Sequence, residues 1–437
     1  MSGRPRRLAA PGRVTAVLLA ASIVAACTGT STDPVSPTSV DQVVLPPVPV
    51  SASSLPGRLL VLDGGGGLVT LRPDGSDRVQ LARGTPGVLD VTGAAWAPDG
   101  ERVVWAQVDR GEKGTSSRLV TTTSEGTGRR DTILHVPIIY LSWDPTSSRV
   151  AFLGAGPNGL RLSLLDATGG GKHPVAHRLD AGPTYYFSWS PNGERMLVHV
   201  GPQRLDELGV DGSRRVVERA PGVFQAPVWS RDGSTFVYPV RSGEGMQTLV
   251  TRAAAGGPTT SIDHVDGVVS FVVSSDGRQV AYQALGPDEL DLYDRDLPQR
   301  ATNVGVTIAD LRTGERLQLT TQPAVAFSWS PDGSRLAVLE PIYQPTGTIF
   351  FRWVVWDGTD AFTTAAFSPA LALLQAYAPF FSQYAQSVSM WAPDGSAFAY
   401  PADVAVGPPV IWVQPAEPDT DPFPVGRGTF VAWSPAA

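Results

Sequence analysis

Apolar and polar residues alternate along most of this 437-residue chain, in short runs that break at Pro, Asp, Asn or Gly. The stretch FSWSPDGSRLAV, Phe327 to Val338, is representative. Val325, Phe327 and Trp329 fall on one side of an extended segment, Ser330-Pro331-Asp332-Gly333 interrupts it, and Arg335-Leu336-Ala337-Val338 opens another. A period of two argues for half-buried strands. The interruption suits a type I turn: Pro331 presets φ at the second position, Asp332 tolerates the bridge region at the third, and Gly333 closes the fourth. The pattern therefore predicts strand, tight turn, strand.

The same pattern recurs along the chain. Its copies are Trp96-Ala-Pro-Asp-Gly100, Trp143-Asp-Pro-Thr-Ser147, Trp189-Ser-Pro-Asn-Gly193, Trp229-Ser-Arg-Asp-Gly233, Val273-Ser-Ser-Asp-Gly277, Trp329-Ser-Pro-Asp-Gly333, Trp391-Ala-Pro-Asp-Gly395 and a truncated Trp433-Ser-Pro435. Successive copies lie 40 to 62 residues apart, the spacing of a four-stranded propeller blade. A third strand such as Gly159-Leu-Arg-Leu-Ser-Leu-Leu165 and a fourth complete each unit. The tryptophans are predicted to wedge between neighbouring blades, where a large flat side chain buries much apolar area.

The chain ends complement each other. Residues 58–83 hold three strands with no inner strand before them, and Gly428 to Trp433 supplies an inner strand alone. Pairing them would close the ring. Seven complete units plus this composite predict an all-β propeller of eight blades, with seven as the alternative if the weak copy at Val273 is not a blade.

The repeated W-S-P-D-G followed by an apolar strand resembles the TolB-type, WD40-like propeller repeat, and the resemblance covers residues 58–437. It implies the fold and is nearly silent about activity. The sequence differs from TolB itself in showing no separate α/β domain ahead of the propeller, so the resemblance does not extend to TolB's association with the Pal lipoprotein.

The N-terminal segment suggests a compartment. Residues 1–26 carry Arg4, Arg6, Arg7 and Arg13, no acidic group, and the apolar run Val14 to Ala26. Thirteen apolar residues are short for a bilayer span, which needs about 20, and suit a signal peptide. Val24-Ala25-Ala26-Cys27 resembles a bacterial lipobox, which implies lipidation of Cys27, the only cysteine in the chain. A lone thiol excludes internal disulfides and cysteine metal clusters. Residues 27–57, rich in Ser, Thr, Pro and Val, read as an extended tether whose coil would average about 30 Å. Removing residues 1–26 changes the formal charge from −7 to −11, which argues against nucleic acid and against direct binding to anionic lipid.

Candidate interaction residues lie where the repeat is broken, since propeller strands are committed to packing. Three insertions are expected on one face, opposite the Ser-Pro-Asp-Gly turns. They are Gly286 to Asn303 with Tyr293, Glu340 to Thr348 with Tyr343, and Ser368 to Gln386 with Tyr377, Phe380, Phe381 and Tyr384. In the third, Ser368 as N-cap and Pro369 at the first helical position predict a helix through Tyr377, ended by Pro379. The aromatics suit an anchor for a partner; the alternative has them plug the channel mouth or cover a blade edge. Asp288, Asp291 and Asp294 are weak calcium candidates, since they lack the spacing of an EF-hand loop.

Catalytic constellations are not found. The chain has no G-x-S-x-G and no phosphate-binding glycine loop in a strand-to-helix context. His173 and His177 lie four apart, but Pro174 and the neighbouring glycines argue against a helix that would pair them on zinc. The reading is a non-catalytic, lipid-anchored monomer outside the cytoplasmic membrane that binds an envelope protein or a cell-wall-associated partner, without a cofactor. The alternative is a glycan- or small-ligand-binding or lyase-type propeller with its site in the central channel.

Overall fold

The computed structural model describes residues 45–437, apart from 86, 88, 112–113, 135, 157–158, 169–175, 180–181, 202–203, 223–225, 244–245, 286–304 and 436–437. The expected signal peptide, Cys27, Tyr293, Asp288, Asp291 and Asp294 lie outside the described residues. Within Val43–Ala437, one of two compact units, the antiparallel strands of the described residues form seven sheets; numbered by inner strand, the first six begin at Leu89–Trp96, Ile138–Trp143, Thr184–Trp189, Val228–Trp229, Val268–Val273 and Ala326–Trp329, and the seventh joins the two ends of the chain.

Each recurring unit folds as its pattern dictates. In the copy at Trp329, inner strand Ala326–Trp329 pairs with Leu336–Tyr343, which pairs with Ile349–Trp356, which pairs with Ala361–Thr363. The turn between the first two is set by its own side chains. Gly333 N–H donates to Ser330 O at 2.9 Å, Asp332 accepts from the Ser330 hydroxyl and from Ser334 N–H, and the Ser330 hydroxyl accepts from Arg335 N–H. Gly333 sits at φ 76°, where a Cβ would be strained. Ser230-Arg231-Asp232-Gly233 and Ser274-Ser275-Asp276-Gly277 repeat the scheme. The weak copy at Val273 therefore builds a full sheet, Val268–Val273, Gln279–Leu285, Thr307–Asp310 and Arg316–Gln318.

The tryptophans lock neighbouring sheets together. Trp143 Nε1 donates to Ala95 O, Trp229 to Ser188 O, Trp329 to Val272 O, Trp391 to Ser328 O and Trp96 to Ala432 O, at 3.1–3.4 Å. The acceptor is each time the residue just before the repeat position of an adjacent inner strand. In these five copies the wedge expected from size alone is also a hydrogen-bonded one, whereas the Trp189 indole N–H is buried without a partner.

The ring closes as the ends predict: Leu59–Asp63 pairs with the last strand, Phe423–Trp433, through Leu59↔Trp433, Val61↔Val431 and Leu62↔Phe430. Trp433 Nε1 donates to Pro56 O at 2.8 Å, and Ser434 exchanges hydrogen bonds with Arg58. The number of sheets is seven rather than the eight expected. The weak Val273 copy, the expected source of a lower count, is not the reason. Strand Phe423–Trp433 is eleven residues long; its first half pairs with Val410–Pro415 and its second with Leu59–Asp63. Two runs that the repeat separates are thereby fused into one six-stranded sheet, Ala397–Ala402, Val410–Pro415, Phe423–Trp433, Leu59–Asp63, Leu68–Leu71 and Val79–Ala82. The chain packs on this sheet before Arg58: Val50–Ser54 forms a 3-10 turn whose Ala52 is buried beside Leu59 and Trp433.

Candidate functional site

The Ser-Pro-Asp-Gly turns occupy one face of the ring, and the connections from second to third strand and from fourth strand to the next inner strand occupy the other. The longest described connection on this second face is 364–388. Phe367 bridges Phe351 and Pro369 bridges Ala402. A helical run follows: a wide turn Leu373–Tyr377, a 3-10 turn Ala378–Phe380 and an α-turn Phe381–Tyr384. The expected helix is therefore displaced. Ser368 and Pro369 are held in extended pairing, with Asp403 N–H donating to Ser368 O. Pro379 does not end the run, because it stands in the first turn of the next helical piece, where a missing N–H leaves no ladder bond broken.

This run plugs the channel mouth, as the alternative reading had it. Phe381 packs on Phe327 of the sixth sheet with ring centroids 4.6 Å apart. Tyr384 meets Tyr140 of the second sheet edge-on at 5.7 Å and stacks on Tyr377 at 5.6 Å. The Gln383 side chain bonds Phe187 of the third inner strand and the Tyr140 hydroxyl. Gln386 Nε2 donates to Pro227 O beside the fourth. Val388 and Tyr384 pack in one cluster with Ala94 and Ala432. A pocket of about 20 Å³ adjoins the run, lined by Ala94, Ile138, Tyr140, Tyr384 and Val388 among others. Burial pushes the Tyr140 hydroxyl up to about 12, and raises Tyr377 and Tyr384 as well.

The structure thus divides the sequence-predicted aromatics. Phe381 is buried, Tyr377 and Tyr384 are at most partly accessible, and all three lie in the plug. Phe380 remains 43% exposed and Tyr343 46%. The segment Glu340 to Thr348, expected as an insertion, is strand as far as Tyr343 and a tight turn from there to Thr348. Tyr343 pairs with Ile349 and Ile342 with Phe350 at the end of a long hairpin turned at Gln344–Thr348. Ile349 and Phe350 are exposed there, as is Leu371 at the start of the plug. These apolar side chains share the plugged face, held on a rigid hairpin and a packed helical run. Sequence reasoning missed Gln383 and Gln386, whose only signal was an amide within a run of apolar residues.

Among the described residues no group of three or more His, Cys, Asp or Glu could hold a metal ion, and no helix is long and apolar enough to cross a membrane. His199 is buried, its ring nitrogens 2.8 and 3.0 Å from Gly201 O and Gly222 O. Desolvation lowers its pKa, although the two carbonyls pull the other way.

No family model matches the sequence, and no curated protein is similar to it. Among solved structures, an eukaryotic initiation factor is similar over 87% of this chain and 99% of that one, at 9% identity and a TM-score of 0.51. TolB from Acinetobacter baumannii is similar over 76% and 83%, at 13% identity and a TM-score of 0.38. An oligogalacturonate lyase from Vibrio parahaemolyticus is similar over 78% and 87%, at 13% and 0.46. At such identities the likeness to the initiation factor is one of fold alone.

Proposed function

We propose that this chain is a lipid-anchored, non-catalytic propeller outside the cytoplasmic membrane that holds an envelope protein or a cell-wall-associated partner on its plugged face. The observation that carries the reading is the exposure of Tyr343, Ile349, Phe350, Leu371 and Phe380 on that face, over a hairpin and a plug that are otherwise packed. Rigid aromatic and aliphatic side chains lose little conformational entropy on binding and serve as interface anchors. The lipobox-like Val24 to Cys27 and the Ser/Thr/Pro-rich stretch after it support display at a distance from a membrane.

The plug weighs against a reaction in the channel, because inner-strand groups such as the Phe187 backbone and the Phe327 ring are committed to it. The test is a pull-down from envelope membranes with the wild type and a Tyr343→Ser/Phe380→Ser double variant. Loss of one partner from the variant, with unchanged thermal melting, supports the reading. Equal recovery from both removes this face from the account. Globomycin-insensitive processing, or a Cys27→Ser variant that still fractionates with membranes, would remove the anchor.

A further inference from the structure

On the opposite face, a cleft of about 580 Å³ opens between the third sheet and the fourth, within the size range of small-ligand sites. The third sheet comprises Thr184–Trp189, Arg195–Val200, Arg204–Gly209 and Arg214–Glu218, the fourth Val228–Trp229, Thr235–Arg241, Met246–Ala253 and Thr259–Asp266. The residue six positions after a repeat tryptophan is an arginine in four copies; in two of them it clasps the next sheet, whereas Arg149 bonds Asp144 of its own turn. Arg102 donates to Ser147 O and lies over the Trp143 ring at 5.1 Å, and Arg335 donates to Gly395 O at 2.8 Å. Arg195 occupies the same place but is turned away, drawn to Glu207. Trp229, on the next inner strand, lines the cleft and is only half-buried.

The hydrogen-bonding groups of this cleft are unevenly spent. Glu207 is 4% exposed, and its two carboxylate oxygens are taken one each by Arg195 and Arg215. Asp232 spends both of its oxygens on Ser230 and Ser234, and Asn192 spends its oxygen on Ser190 and Glu194 N–H. The acceptors are thus occupied. The guanidinium groups, about half exposed at 53% and 44%, each use one terminal nitrogen on Glu207, and Arg215 uses that same nitrogen on Ala254 O. A guanidinium carries five N–H donors, so a surplus of charged donors faces the void beside an indole. That combination selects a ligand that supplies anionic acceptors at one end and a flat or apolar body at the other.

We propose that the cleft binds an organic carboxylate of monosaccharide or dipeptide size, with the carboxylate on Arg195 and Arg215 and the body of the ligand against Trp229. The site is independent of the plugged face, and either can stand without the other. Two sources share this chemistry, an acidic sugar and a peptide C-terminus, and the titration separates them. The full chain in detergent is titrated calorimetrically with galacturonate and its methyl ester, and with N-acetyl-Ala-Ala and its amide.

At least one acid should bind about 10-fold more tightly than its neutral form, as loss of a charge-assisted pair implies. Arg195→Gln, which leaves Glu207 paired with Arg215 and so keeps the fold, should bring the acid down to the neutral level. Glu207→Gln releases both guanidinium groups and should tighten the acid, which a purely structural ion cluster would not do. Equal binding of acid and neutral forms, no binding of either acid at millimolar concentration, or indifference of the acid to both variants would each overturn the proposal.

Discussion

The side chain of Gln383 makes with Phe187 the two hydrogen bonds that a neighbouring strand would make. Oε1 accepts from Phe187 N–H at 3.1 Å, and Nε2 donates to Phe187 O at 2.8 Å. An inner strand of a propeller has no partner on its channel side, so its channel-facing backbone groups need one from elsewhere. Gln383 supplies it for the third sheet, and its Nε2 is also 3.0 Å from the Tyr140 hydroxyl of the second.

Gln383→Leu keeps the volume of the side chain and removes both bonds, leaving a buried N–H and a buried C=O unsatisfied. At about 1–3 kcal/mol for each group, the variant should lose about 2–6 kcal/mol of stability in urea unfolding. Because the plug does not touch the repeat turns, the far-ultraviolet spectrum should stay that of the wild type. Unchanged stability would mean that water replaces the amide, and that the plug is not anchored here.

Adjacent phenylalanines separate the two roles of the plug. Phe381 is 6% exposed and packs on Phe327, whereas Phe380 is 43% exposed. Phe381→Ala should cost about 3–5 kcal/mol, the range for truncating a buried aromatic. Phe380→Ala should stay within about 0.5 kcal/mol, as surface substitutions do. Comparable losses from both would show that Phe380 is also part of the core.

Closure rests on the second half of the last strand. Deleting residues 428–437 removes the partner of Leu59–Asp63 in the ladder, the indole bond from Trp433 to Pro56 and the acceptor of the Trp96 indole, Ala432 O. The first sheet would then lose its neighbour on one side. The truncated protein should melt earlier and over a broader range than the intact chain, since the ring would fray from an open edge. An equally sharp and equally high transition would contradict ring closure by these two segments.

Much of the fold was legible because the repeat is physically overdetermined. Pro331, Asp332 and Gly333 each fit one turn position, and Trp329 is both the last residue of its inner strand and the donor to Val272 O. The number of sheets was not legible, since nothing in PVGRGTFVAW announces that Phe423–Trp433 runs unbroken between two partners. At the candidate site the sequence located the plugged face but not which aromatics point outward. Phe380 and Phe381 are identical in type and adjacent, and only the path of the wide turn at Leu373–Tyr377 decides between them. The Arg195 cleft was likewise hidden, because Arg102, Arg195 and Arg335 look alike until Glu207 is seen to draw one of them aside.

His199 gives the fold a pH dependence with a definite sign. Burial outweighs the pull of Gly201 O and Gly222 O and lowers its pKa below the ordinary 6.5. As pH falls below 6.5, the unfolded chain takes up a proton that the folded one resists, so stability falls from that point until the lowered folded-state value is reached. Above 6.5 both states are neutral and the contribution is constant. Among the described groups whose pKa departs from its ordinary value, His199 is the one that titrates in this window, the shifted aspartates lying lower and the tyrosines higher. The melting temperature of the wild type should therefore drop between pH 6.5 and mildly acidic pH, while His199→Gln, which can still donate to one carbonyl, should show a flatter profile over the same interval. Parallel profiles for the two proteins would mean that the ring carries the same proton folded and unfolded, with the two carbonyls offsetting its burial.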